Sequence, residues 1–457
     1  VISLVQRIRL FLLGFGLAIA VGLKPAQSQS IVPAADGTNT VVTPTSNRLD
    51  IDGGKLSGDG ANLFHSFTQF NLDANQIANF LSQPQIQNIL GRVTSGNASQ
   101  INGLIQVTGG NSNLFLINPA GILFGTDARL NVPAAFTATT ANQIGFGSHW
   151  FNSIGTNDYA AFLGEPNAFA FPSPSPGTII NAGNLAVGTG QNLTLLGGIV
   201  VNIGQLHAPG GQITVAAVPG QSLVRLSQAG FVLSLDVPSS SFPANASVTT
   251  PLSLPQMLTG GDVTQATGLT VNSDGTVQLT SSSVAIPTDT GSTIVSGTLN
   301  TSGIELGQTG GKVQVLGDKV GLINANIDVS GSNGGGTVLI GGDYQGRGVV
   351  PNASRTYVSN NSAINADSLL NGNGGRVIIW SDGITGYYGN ITARGGNQLG
   401  NGGFVEVSGK QGLDFKGVTN TSATNGLNGT TLLDPRDIII EPDDGLPDDN
   451  AQLGNNQ

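Results

Sequence analysis

GGKVQVLGDKVGLINANIDVSGSNGGGTVLIGGD, residues 310–343, contains the unit on which the architecture turns. It opens on Gly-Gly, alternates apolar Val313 and Val315 with polar neighbours, breaks at Gly317-Asp318, and meets Gly-Gly again at 335. Period-two alternation bounded by glycine is the mark of a short strand between tight corners. The same opening recurs in GGQITVAAV (210–218), GGRVIIWSD (374–382) and GGFVEVSGK (402–410). From 310 onward the openings stand 25, 39 and 28 residues apart. The longest gap contains DYQGRGVVPNASRTYV (343–358), an excursion from a unit of about 25 to 28 residues. Several units carry a second short strand, as in GLINANIDVSG (321–331) and GYYGNITARGG (386–396).

A coil this short cannot stand alone, because its few inward Val, Ile and Leu side chains do not offset the entropy of ordering its backbone. Stacking covers both faces of each coil and lets every strand bond to strands above and below. Gly-Gly then marks corners where positive φ or close backbone approach excludes a larger side chain. The expectation is an all-β fold, a parallel β-helix. Sandwich domains would repeat nearer 100 residues and propeller blades at about 40 to 50, so both fit less well.

Composition agrees. The chain has 457 residues, with 68 Gly and 10% charged residues, which suits many short strands and tight turns. A net charge of −10 repels phosphate backbones and argues against nucleic acid as a partner. Cysteine is absent, which removes disulfides, thiol nucleophiles and Cys-ligated zinc together. The start has a secretory layout: Arg7 and Arg9, an apolar run from Leu10 to Leu23, then Ala26-Gln27-Ser28 as a cleavage site. Residues 1–28 are therefore expected to be a signal peptide.

Residues 62–81, NLFHSFTQFNLDANQIANFL, hold Phe64, Phe67 and Phe70, expected to plug one end of the solenoid. Ile77, Phe80 and Leu81 have a 3–4 spacing that predicts a brief helix. Farther on, Asn118-Pro119-Ala120-Gly121 separates the apolar runs LFLI and ILFG. Pro119 fixes φ and Gly121 can take positive φ, so the four residues predict a turn. Residues 150–177, ending in FPSPSPG, read as a loop or insertion, and 221–300 shows no clear repeat.

Catalytic signals are sparse. His65, His149 and His207 have no metal-ligand spacing, and no nucleophile elbow or P-loop occurs, so no cofactor is implied. Asp318 with Lys319, and Asp343 with Arg347, are the nearest candidates for polysaccharide lyase or hydrolase chemistry on a β-helix. Both pairs also read as solvated corner charges.

Residues 62–141, running through ILGRVTSGNASQINGLIQVTGGNSNLFLINPAGILFGTDARLNVPAAFTATTA, closely resemble the N-terminal secretion domain of filamentous-haemagglutinin-type exoproteins. These are the passengers of bacterial two-partner secretion. Cyanobacterial members are especially similar, including GGDYQGRG and NGNGGRVIIW. The resemblance implies a right-handed β-helix with an N-terminal cap and small extra-helical insertions. It also implies a secreted or cell-surface adhesin, exported through an outer-membrane transporter with periplasmic docking domains, with surface or matrix glycans as possible ligands.

The family's export motif has the form Asn-Pro-Asn-Gly-Ile. Asn118, Pro119, Gly121 and Ile122 match it, while Ala120 replaces the second Asn. Asn62, Phe64, Phe67, Phe70 and Asn71 fall in the family's N-terminal signature. The implied organisation is a secretion-domain core over 29–150, further coils with insertions over 151–290, and Gly-Gly-x-Val coils over 291–435. Residues 436–457 would be an acidic linker or the start of a further segment.

Overall fold

The computed structural model describes residues 30–226, 232–236, 269–272, 276–279, 285–286 and 289–434. The expected signal peptide, the acidic stretch 436–457 and much of 221–300 lie outside the described residues. The chain winds as a right-handed parallel β-helix with three long sheets, the crossover hand that twisted parallel strands favour. Lys312–Leu316, Lys319–Leu322 and Asn326–Asp328 lie on the first, second and third sheets in turn. Thr337–Ile340 then returns to the first sheet, pairing Val313 with Val338 and Val315 with Ile340. Among the described residues the sheets hold 13, nine and twelve strands.

Because stacked strands stay in register, each inward position forms a column along the rod. One column runs from Leu63 through Ile89, Leu114, Phe136, Leu193 and Ile213. It continues through Val313, Val338 and Val377 to Val405, and every member is buried. This continuous stack is the core that no single coil could make.

The Gly-Gly corners have one geometric cause. The second glycine donates to the residue that leaves the third sheet: Gly311 to Thr301 (2.8 Å), Gly336 to Val329 and Gly375 to Ala366 (both 2.7 Å). Its own carbonyl accepts from the next coil, as Gly311 does from Thr337 (3.0 Å) and Gly336 from Arg376 (2.9 Å). A Cβ on Gly336, Gly375 or Gly403 would overlap the carbonyl oxygen of the equivalent glycine one coil earlier. None of these three has positive φ. Of the two reasons for glycine offered by the sequence, close approach is therefore the operative one.

The N-terminal end is closed by antiparallel pieces. Thr40–Thr45 and Arg48–Gly53 form a hairpin on the third sheet, and Ile31–Pro33 pairs antiparallel with Asn62–Phe70. This covers a strand edge that would otherwise be open to other chains.

Two expectations are corrected. Residues 77–81 form a strand, not a helix, pairing in parallel with residues 48–51 on one side and with Leu104–Thr108 on the other. Ala78 and Phe80 are its fully buried pair, so the true period is two, and the 3–4 spacing of Ile77, Phe80 and Leu81 is incidental. The insertion is also larger and more ordered than residues 150–177 suggested. Gln143–Phe146, His149–Asn152 and Ala168–Phe171 join Ser222–Leu226 and Val232–Asp236 in a five-stranded antiparallel sheet beside the helix.

Candidate functional site

The Asn118–Gly121 corner joins Asn113–Ile117 on the first sheet to Ile122–Phe124 on the second. Gly121 has φ 126° and its N–H donates to the Asn118 carbonyl (3.1 Å), as a tight turn requires. The Asn118 side chain does more than shape the turn. Its Nδ2 donates to the Asn97 carbonyl (2.9 Å) and Ser99 Oγ (3.0 Å) of the preceding coil, and its Oδ1 accepts from Ala120 N–H (3.0 Å). Asn118 is fully buried, Ala120 and Ile122 nearly so. In the folded rod this corner is an internal joint between coils.

The other signature residues also link layers. Asn62 is buried; its Nδ2 donates to the carbonyls of Phe162 and Gly164 (both 2.9 Å), and its Oδ1 accepts from Asn88 Nδ2 (2.8 Å). Asn113 Nδ2 donates to Asn88 Oδ1 (2.9 Å), and Asn113 Oδ1 accepts from Ala135 N–H (3.0 Å). Stacked amides thus run coil to coil, each with a donor and an acceptor to offer its neighbour. Asn71 Oδ1 similarly accepts from Gln100 N–H (2.8 Å).

Phe64, Phe67 and Phe70 do not form one plug: Phe64 and Phe67, three apart on a strand, face opposite ways, while a register shift between Phe67 and Gln69, opposite Val32 and Pro33, turns Phe70 to the side of Phe67. Phe67 and Phe70 point into the first coil and pack with Phe80. Phe64 faces outward beneath the lateral insertion, 5.0 to 6.0 Å from the rings of Phe146, Phe151, Tyr159 and Phe162.

Next to Phe64 lies a constellation that the sequence did not disclose. Arg92, 2% exposed, pairs with Asp36 Oδ2 (2.7 Å) and donates to Ser66 Oγ (3.1 Å). Its other nitrogen donates to the carbonyls of Asn152 (2.7 Å) and Gly155 (2.9 Å), and its guanidinium lies 5.6 Å from the Phe151 ring centre. One side chain therefore ties together the N-terminal cap, two coils and the insertion. Burial alone would raise the Asp36 carboxyl, but hydrogen bonds from Ser66, Thr38 and Arg92 hold it down to about 2. The available signal was a lone arginine inside the apolar run NILGRV, in a chain with 17 Lys and Arg.

The candidate catalytic charges are engaged separately. Lys319 pairs with Asp289 (2.8 Å), and Asp343 pairs with Arg376 (2.8 Å) while accepting from Tyr344 N–H (2.7 Å). Arg347 closes the short turn Tyr344–Gly346, and the Asp318 carbonyl accepts from Ser354 N–H (2.7 Å). Among the described residues no group of three His, Cys, Asp or Glu is placed to hold a metal ion. His149 is exposed in a hairpin, and partial burial pushes His207 below the usual imidazole range. His65 is fully buried beside Phe67 and Phe80 with neither ring nitrogen hydrogen-bonded, and burial lowers it to about 4.

Comparison with known proteins places these features. The family described as the TPS secretion domain matches residues 28–279, a span that includes the Asn118 corner, the asparagine ladder and Arg92. No curated protein matches the chain. Among solved structures, the HMW1 secretion domain from Haemophilus influenzae is 24% identical, with TM-score 0.43, over 88% of this chain and 98% of that one. The filamentous hemagglutinin secretion domain is 14% identical, with TM-score 0.36, over 88% of this chain and all of that one. Since the family match takes in more than half of the sequence, this chain belongs to the TPS secretion domain family, the exported and structural passengers of two-partner secretion.

Proposed function

We propose that the chain is an adhesive rod whose Asn118 corner acts during export, as the joint on which the first coils close, rather than as a docking epitope on the finished surface. The observation that carries this reading is the complete burial of Asn118, with its side chain bridging two coils. A transporter can read Asn118, Pro119, Gly121 and Ile122 only before the corner closes. Its periplasmic docking domains would hold the segment extended, and release at the cell surface would let the corner form. Each later coil then adds to a finished template and makes retreat less favourable, so translocation needs no nucleotide hydrolysis.

The test is export from a Gram-negative host with and without the cognate transporter, comparing the natural chain with Asn118→Ala/Pro119→Ala. Purified protein is refolded in parallel. The expected result is transporter-dependent secretion, lost in the variant, together with slower refolding. Lost secretion with unchanged refolding would favour direct recognition alone; unaffected secretion would leave the corner as architecture only.

For the adhesive ligand we infer neutral surface or matrix glycans. The support is chemical: exposed Tyr357 lies 5.6 Å from Tyr388 on the outer second sheet, offering ring faces to sugar C–H groups. The net charge of −10 disfavours polyanions. Binding to a panel of neutral and acidic polysaccharides checks this, and preference for the acidic ones would count against it.

A further inference from the structure

The loops that lead from the third sheet back to the first form an apolar ridge with a rigid base. Their stacking is regular: Gly303 bridges to Gly331, Gly331 to Ser368, and Asn371 to Leu399 in parallel register. Gly372 donates to the Leu399 carbonyl (2.7 Å) and Gly402 to the Leu427 carbonyl (2.8 Å). Asn425 Nδ2 reaches the Asn397 carbonyl (2.7 Å), and Leu427 N–H reaches Asn401 Oδ1 (2.9 Å). Such loops are ordered before any partner arrives, so little entropy is lost on docking.

From this base project Ile304 (67% exposed), Leu306 (85%), Leu369 (36%), Leu399 (66%) and Leu427 (76%). Large apolar side chains scattered singly need no explanation, but these recur on one corner in four of its five loops between 301 and 429, the loop at 329–336 lacking one. The corner is also nearly free of charge. Between 301 and 311 Glu305 is the sole acidic or basic residue, 330–336 and 421–429 have none, and Asp367 and Arg394 pair through two hydrogen bonds between their side chains.

The geometry points to a second copy of this chain as the occupant: the ridge is a lateral contact between rods. In a molecule of net charge −10, copies repel over most of their surface, and a corner with a single unmatched carboxylate is where two can approach. Coils in both rods are spaced about 4.8 Å apart, so side chains of one ridge can sit between those of the other. Asn373, Asn397, Asn401 and Asn428 flank them with donors and acceptors alike, which makes the surface self-complementary. A lipid surface fits less well, since the one basic side chain in these loops is already paired with Asp367. The ridge exposes on the order of 500 Å², short of the roughly 800 Å² per partner of a standard stable interface. The contact is therefore weak in dilute solution and becomes effective when rods are held side by side at high local concentration.

The absence of cysteine permits a clean test on the purified full chain. Leu399→Cys and, as control, Asn360→Cys at an exposed turn on a different corner are treated with a short bismaleimide over a range of protein concentrations. The expected result is about tenfold more cross-linked dimer for L399C than for N360C, abolished by adding Leu306→Asp and Leu427→Asp. Equal cross-linking at both positions overturns the proposal. So does cross-linking at the control level combined with Leu427-dependent retention on phosphatidylcholine vesicles, which would make the ridge a lipid contact. Both cysteine sites are exposed, so unchanged thermal unfolding keeps the comparison free of folding effects.

Discussion

The two ends of this rod are held together by different means. Residues 30–171 rely on individual side chains with several partners each: Arg92 joins four segments, Asn62 three, and Asn118 two coils. Residues 310–434 rely on repetition of backbone, with Gly311, Gly336, Gly375 and Gly403 playing one part in successive coils. A specific network fixes a start and cannot be shifted by a unit. A repeated corner fixes only the next step.

The sharpest way to break this contrast is to place a side chain in the glycine seam. Gly336→Val forces a Cβ into backbone that cannot yield, and should cost more than about 4 kcal/mol. Hydrogen exchange should show the damage concentrated in neighbouring coils, with protection near Arg92 retained. Spread of the defect to the N-terminal coils would mean that the two regions are one cooperative unit. Arg92→Met comes next, with a loss of roughly 3 kcal/mol, because it strips the Asn152 and Gly155 carbonyls and Ser66 of the buried donor that joins them. Here the cap and the insertion should loosen together, which limited proteolysis at 143–171 would reveal.

Acid probes the same end without mutation. His65 binds a proton at about 4 in the fold against about 6.5 when free, so the unfolded chain holds more protons between those values. Stability is therefore full above pH 6.5 and falls as pH drops toward 4, by on the order of 3 kcal/mol. Asp36, lowered to about 2 in the fold, adds a separate loss between its ordinary value near 3.8 and 2. Urea titrations across pH should show both windows, and His65→Phe should erase the upper one alone. Asn118→Ala removes two donors and one acceptor from a buried corner, a loss of about 2 kcal/mol in the same assay. Leu399→Asn, on the exposed ridge, should change stability by less than about 0.5 kcal/mol.

What the sequence disclosed follows the same division. The Gly-Gly-x-Val units announced strand, corner and stacking because repetition reports geometry several times over, and register pairs such as Lys312 with Thr337 and Thr337 with Arg376 bear this out. The turn at Asn118 was legible from Pro119 and Gly121, but its burial was not, since burial depends on coils laid down before and after it. Residues 77–81 misled because three apolar residues fit two periods, and only pairing with strands on either side selects one. The Arg92–Asp36 pair spans 56 residues and belongs to no pattern, so nothing local marks either partner.

The glycine seam has one more consequence. At the second glycine of each seam corner the later coil supplies the N–H and the earlier one the carbonyl, as in Lys312 to Gly211, Phe404 to Gly375 and Thr430 to Gly403. Each finished coil thus presents the same acceptor to whatever follows, irrespective of how many came before. Rod length is then a free evolutionary variable: duplications or deletions of whole coils leave the joins unchanged and the exporting end untouched. A lineage can adjust how far its surface reaches without renegotiating how it gets there.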